Sequence, residues 1–176
     1  MTKRKDSVVA LRPCKKLKHL TQEECGSTYD YEKIMESCQE YVTRKKIMID
    51  EPESVDRLMH PICARLKQEV FYVLLLDTKH GVLEVVETTK GLVDRSQVHA
   101  REIFRRAIVK NATSVIFVHN HPSGDSTPSA QDIDCTRKLV EAGKIIGISV
   151  LDHVVIGMAT QSRPKACTSF RRQNLL

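Results

Sequence analysis

The 176-residue chain predicts an α/β fold of the α+β kind, a mixed β-sheet flanked by helices. Three observations carry this. Four short apolar runs, 69–77, 82–89, 114–118 and 148–156, are rich in β-branched residues and bounded by turn residues, so they read as strands. The stretches before and between them repeat apolar residues at spacings of three and four, the mark of amphipathic helices. The order strand, strand, helix, strand, helix, strand then gives a sheet with helices packed on it.

Residues 1–28 are polar and charged without periodicity, and are expected to form a disordered basic tail. Residues 29–53 read as a helical extension. Its helix, Tyr31 to Lys46, carries Ile34, Met35, Cys38, Tyr41 and Val42 on one face, and Ile47 to Pro52 breaks it. The domain proper is placed at 54–176. It opens with a helix from Ser54 to about Lys67, striped by Val55, Leu58, Met59, Ile62 and Leu66, with Pro61 expected to kink it. Glu69 to Asp77 is a central strand by its continuous apolar character. Thr78 to Gly81 turns the chain into Val82 to Thr89, making a hairpin. Gly91 to Ser96 leads to a helix over Val98–Lys110, with Ile103, Phe104, Ala107 and Ile108 inward. After the Ser114–Val118 strand comes a long helix, Ser129–Ile146, carrying Ile133, Leu139, Val140 and Ala142. Ile148–Ile156 is the last strand, ended by Gly157, and the tail after Thr160 is polar and basic.

The formal charge of +6 belongs to the ends. The first 20 residues hold seven Lys/Arg and one Asp, and residues 163–172 add four basic residues and no acid; the 21–162 stretch between has 17 basic against 21 acidic residues. Such termini suit either a nucleic-acid-seeking arm or a solubilising one, and no aromatic is interleaved with the first cluster for stacking on bases. The longest apolar run, Val70 to Leu76, is too short to span a bilayer, so no membrane partner is expected. Val8 to Leu11 is too brief for a signal-peptide core, which points to a cytoplasmic protein. The six cysteines show no Cys-x-x-Cys and are expected to be reduced, packed thiols.

The chemistry concentrates at His119-Asn120-His121-Pro122-Ser123-Gly124-Asp125-Ser126-Thr127-Pro128-Ser129-Ala130-Gln131-Asp132. Residues i and i+2 of an extended chain point the same way, so both imidazoles can reach one point. Pro122, Gly124 and Pro128 force a turn. Ser129 stands where a helix N-cap belongs, and Asp132 falls in the first turn. A strand end thus offers two nitrogens and a helix start one carboxylate. His₂Asp plus a water is the ligand set of an open catalytic zinc site. Taken alone, Asp132 is most simply the acid of a capping box with Ser129, and the two roles are compatible.

His-x-His, seven residues, Ser, two residues, Asp matches the JAMM signature of MPN/JAB domains at His119, His121, Ser129 and Asp132. Within that superfamily the chain resembles the RadC-type JAB proteins, through His119 to Asp125, Pro128-Ser129 and Leu151-Asp152-His153, over roughly residues 54–176. The resemblance implies a JAB/MPN, cytidine-deaminase-like architecture and a Zn2+ cofactor held by His119, His121 and Asp132. It also implies a glutamate near the start of a core strand, and Glu69 is the position that matches. Glu102 is the rival, but helix periodicity makes it a solvated neighbour of Arg105 and Arg106. The implied mechanism has zinc lowering the pKa of its water to about 7. Glu69 moves that water's proton to the leaving amine, and Ser129 donates to the oxyanion. For His153 two readings stay open: a buried, satisfied histidine, or a group that orients a ligand. Ala100 replaces a proline expected near a helix start. Residues 1–53 are too short for the helix-hairpin-helix module of long RadC-like proteins and show no Gly-containing hairpin, which weakens the link to DNA repair.

Three functions therefore compete. A zinc metallopeptidase or isopeptidase acting on a protein or peptide substrate follows from the complete set Glu69, His119, His121 and Asp132. A DNA-binding or nuclease role would rest on the basic termini. A non-catalytic MPN interaction module is disfavoured by the intact ligand set. A zinc deaminase is excluded by the missing His-x-Glu and Pro-Cys-x-x-Cys pairing.

Overall fold

The computed structural model describes residues 31–63, 66–90, 99–159 and 167–176. The chain divides into Met1–Tyr31 and Glu32–Leu176, and the sheet and the site belong to the second unit. The expected disordered tail and the 91–96 link lie outside the described residues. The elements are α1 (Tyr31–Lys45), α2 (Pro52–Cys63), β1 (Val70–Leu76), β2 (Val82–Lys90), α3 (Ala100–Val109), β3 (Ser114–Asn120), α4 (Ala130–Ile146), β4 (Ser149–Ile156) and β5 (Cys167–Ser169). They form a mixed sheet in the order β2-β1-β3-β4-β5, flanked by helices. No helix among the described residues is long and apolar enough to cross a membrane.

The expected hairpin is present. β1 and β2 pair antiparallel, and Asp77 shapes the turn, its Oδ1 accepting from the amides of Lys79 and Gly81, each at 2.8 Å. β1 also pairs antiparallel with β3, Phe71 opposite His119. β3, α4 and β4 then form a crossover unit, because β3 and β4 are parallel, with His119 opposite Val155. Both faces of β1 and β3 are buried, which explains their unbroken apolar sequence. On one face Phe71, Val73, Leu75, Val115 and Phe117 meet Ile103, Phe104 and Ala107 of α3 and Leu139 of α4. The alternation turns Tyr72, Leu74 and Ile116 to the other side. There α2, with Val55, Leu58, Met59 and Ile62 buried, packs against β3, β4 and β5.

Several expectations need correction. α2 ends at Cys63, two residues past Pro61, and does not reach Lys67. A proline lacks the N–H that would bond four residues back, and Leu66 donates to the Cys63 carbonyl, three residues back, at 3.1 Å. Ile108 is exposed, because the inward stripe of α3 is only Ile103, Phe104 and Ala107. The buried stripe of α4 is Asp132, Thr136, Leu139 and Gly143; Ile133, Val140 and Ala142 are only half-buried. β3 runs on to Asn120, so His119 lies within the strand. β5 has no counterpart in the sequence reading. Its three residues pair with β4 and deliver Phe170 to the core, fully buried. Buried Asp152 pins this tail, its carboxylate accepting from Ser169 Oγ at 2.5 Å and from the Arg171 amide at 3.0 Å.

Among the described residues, cysteines 38, 63, 135 and 167 form no disulfide. Burial pushes the Cys38 thiol up to about 11 and raises that of Cys63, so both are inert packing groups.

Gly143 lets α4 pass close to the Ile148 backbone and the Phe104 ring. A Cβ there would lie 2.6 Å from the Ile148 carbonyl oxygen and 3.1 Å from Phe104 Cζ. Helix propensity alone favours alanine over glycine by about 1 kcal/mol. Gly143→Ala is nevertheless expected to destabilise the protein by about 1–3 kcal/mol through overpacking, read from urea denaturation of the full chain.

Candidate functional site

The site forms at the C-terminal end of β3, where three segments meet. The antiparallel register sets the start of β1, and Glu69 just before it, beside the end of β3. Asn120 reinforces this. Its side-chain oxygen accepts from the Val70 amide at 2.9 Å, and its amide nitrogen donates to the Gln68 carbonyl at 3.1 Å, so the backbone is held on both sides of Glu69. After β3 the chain turns through Gly124, whose φ of +80° suits glycine. This loop is tied to the end of β4: His121 donates its amide to the Ile156 carbonyl, and Met158 donates to that of Gly124, both at 2.9 Å. Gly157 permits the contact, since a Cβ there would meet the Gly124 oxygen at 2.4 Å.

α4 then begins at the site. Ser129 is its N-cap, with an extended backbone and a full capping box. Ser129 Oγ accepts from the Asp132 amide at 3.2 Å. In return Asp132 Oδ2 accepts from the Ser129 amide and from its hydroxyl, each at 2.7 Å. The cap and the site therefore share the same carboxylate.

Glu69, His119, His121 and Asp132 come together: one ligand atom from each lies within 4.8 Å of all the others. His119 Nε2 is 3.0 Å from His121 Nε2, 3.3 Å from Asp132 Oδ1 and 3.9 Å from Glu69 Oε1. His121 Nε2 is 3.6 Å from Asp132 Oδ2. Side-chain exposure rises from 1% at His119 to 20% at Glu69, so Glu69 stands on the open side, and Ser129 is exposed as well. Glu102 is remote in kind: it is an exposed surface residue paired with Arg101 at 3.3 Å, while Arg106 is held by Glu84 at 2.6 Å.

The donor set suits a cation. His121 Nδ1 lies 2.6 Å from the Asp125 carbonyl oxygen, which can only accept, so Nδ1 carries a proton and Nε2 is left to face the cluster. Two carboxylates and two ring nitrogens then crowd together, and only a ring proton can act as donor among them. Burial pushes the Asp132 carboxyl up, but the bond with His121, the His119 ring and the Ser129 donors outweigh it and hold it well below the usual carboxylate range. The same bond with Asp132 raises His121 against the opposing effect of burial. The cluster demands positive charge. A proton meets part of that demand, and a divalent cation held by these residues would meet more of it.

His153 lies beside this cluster, buried among aromatic rings. Phe170 stacks on it at 4.5 Å between centroids, and Phe71 and Phe117 meet it edge-on at 5.4 and 5.9 Å. Its Nε2 is 2.7 Å from His119 Nδ1, and its Nδ1 is 2.6 Å from Thr136 Oγ1. The ring is buried and bonded at both nitrogens, and it touches a member of the cluster. Thr136 and Asn120 were missed. A signal for Thr136 existed in its place one turn after Asp132 on the same helix face. For Asn120 there was none, because alternation turns it away from the two histidines.

A family model described as RadC-like JAB domain matches residues 49–175. The chain is 47% identical over 106 residues to a UPF0758 protein of Alkaliphilus oremlandii, covering 60% of this chain and 46% of that protein. It is 46% identical over 117 residues to a UPF0758 protein of Methanosarcina mazei, covering 66% and 51%. It is 43% identical over 132 residues to one of Symbiobacterium thermophilum, covering 75% and 54%. The chain spans about half the length of the curated relatives it matches.

Ser129→Ala removes the cap while leaving the four clustered side chains in place. The metal-free protein is expected to lose about 1 kcal/mol of stability, measured as a lower urea midpoint with unchanged slope.

Proposed function

The chain belongs to the RadC-like JAB domain family, and on that premise we propose that it is a zinc-dependent hydrolase of the metallopeptidase or isopeptidase type, acting on peptide or protein substrates. The observation that carries this reading is the convergence of Glu69, His119, His121 and Asp132, with Glu69 on the open side. His119, His121 and Asp132 would hold the ion. Zinc bound in such a set acts as a Lewis acid and brings the pKa of its water to about 7. Glu69 would take a proton from the attacking water on its carboxylate and return it to the leaving amine. Its backbone is fixed by Asn120 on both sides, which keeps the carboxylate in reach without burying it. Ser129 has its hydroxyl proton on Asp132 Oδ2. To donate to a substrate oxyanion the hydroxyl must turn from that oxygen, while the Ser129 amide keeps hold of it.

Zinc content of the purified chain, followed by incubation with peptide and isopeptide libraries, tests this. Glu69→Gln is expected to retain zinc and lose cleavage by about 10²–10⁴-fold, and His119→Ala to lose the metal. Unchanged cleavage in Glu69→Gln would remove Glu69 from proton transfer; loss of zinc in that variant would make it a ligand instead.

A second reading, DNA binding through the basic termini, is favoured by charge alone: seven Lys/Arg against one acid in the first 20 residues. It predicts DNA affinity that falls steeply with salt and is lost on deleting residues 1–20. No binding at low salt ends it.

A further inference from the structure

The bonds between His119, His153 and Thr136 have a direction, and it can be read from one end. Thr136 Oγ1 lies 2.6 Å from the carbonyl oxygen of Asp132, the position four residues back that a helical threonine commonly reaches. A carbonyl only accepts, and two oxygens approach this closely only with a proton between them. The single hydroxyl proton of Thr136 is therefore committed to that carbonyl. Thr136 Oγ1 must then accept from His153 Nδ1, 2.6 Å away. A neutral imidazole with its proton on Nδ1 has a bare Nε2. That Nε2 lies 2.7 Å from His119 Nδ1, so His119 must donate from Nδ1. Its own Nε2 is left without a proton, facing His121, Asp132 and Glu69.

We propose that Thr136 and His153 are positioning residues that fix the tautomer of His119, using the backbone of the first turn of α4 as reference. His121 has its Nδ1 proton fixed by a direct bond to the Asp125 carbonyl. One histidine is set locally and the other through a two-residue relay, and both turn Nε2 to the same point, His119 with a bare nitrogen and His121 with the nitrogen that bonds Asp132 in the metal-free chain. The aromatic rings of Phe71, Phe117 and Phe170 hold the His153 ring in the plane the relay needs. Asp132 closes the circuit: its carboxylate lies in the cluster and its carbonyl anchors the far end of the relay. The use made of the His119 nitrogen rests on the hydrolase reading above. The tautomer itself is a property of the metal-free chain.

Nitrogen-15 histidine-labelled full-length protein, stripped of metal and held at pH 8, tests the relay by two-bond ¹H–¹⁵N correlation. The expected spectrum has His119 and His153 both protonated on Nδ1. In Thr136→Val the acceptor for His153 is gone. Both rings are then expected to leave the single tautomer, and zinc affinity by chelator competition to fall by about 10- to 100-fold. Thr136→Ser is expected to restore both. A proton on His119 Nε2 in the unsubstituted protein overturns the proposal, and this result does not depend on any variant folding. Unchanged tautomers and zinc affinity in a folded Thr136→Val overturn it equally. Should the predicted tautomers be found in a protein that binds no zinc, the relay stands and the hydrolase reading falls.

Discussion

The antiparallel pairing of β1 with β3 is the constraint on which the site depends. Phe71 opposite His119 brings the beginning of one strand to the end of another, and so makes neighbours of Glu69 and the two histidines. The parallel pairing of β3 with β4 adds the second requirement, because a parallel neighbour needs a crossover. Here the crossover is α4, whose N-terminus starts where β3 stops. Two nitrogens, a helix-start carboxylate and a strand-start carboxylate meet because the sheet has this mixed order. A slip of one residue in the β1–β3 register would turn every β1 side chain to the opposite face, taking Phe71 out of the core it shares with Phe117.

Within that frame the cluster is electrostatically one-sided. Acceptors gather at the end of an apolar core, and the groups behind them are arranged to keep it so. The Asp125 carbonyl, the Ser129 cap and the Asn120 clamp each occupy the hydrogen-bonding capacity that would otherwise let a ring or carboxylate turn away. Buried polar groups are costly unless paired, and here the partners are chiefly backbone groups. Their positions are set by the fold and not by further mobile side chains.

Much of this was legible in the sequence because it is local. His119 and His121 follow a short apolar run, and the Ser129–Asp132 spacing announces a helix start; both are patterns of a few residues. The hairpin and the helices came through for the same reason. What was not legible depends on distant pairing. β5 is three residues in a basic tail and exists because Asp152 and the edge of β4 are there to receive it. The α4 stripe is not legible as an apolar pattern because its buried face is polar at the site end, Asp132 and Thr136. Glu69 could be matched only through resemblance, since nothing in a single glutamate at a strand start reveals what lies beside it fifty residues later.

The cap at the head of α4 also bears on which ions the cluster can accept. Ser129 tethers Asp132 by Oδ2 through two bonds, while Oδ1 is the oxygen nearest His119 Nε2. A carboxylate anchored in this way has a single atom to lend. Zinc is content with one such oxygen beside two imidazoles, whereas calcium gathers about six to eight oxygens and often grips a carboxylate by both. Were the cluster to hold an ion, the geometry that begins the helix would favour one of low coordination number, before any substrate arrives.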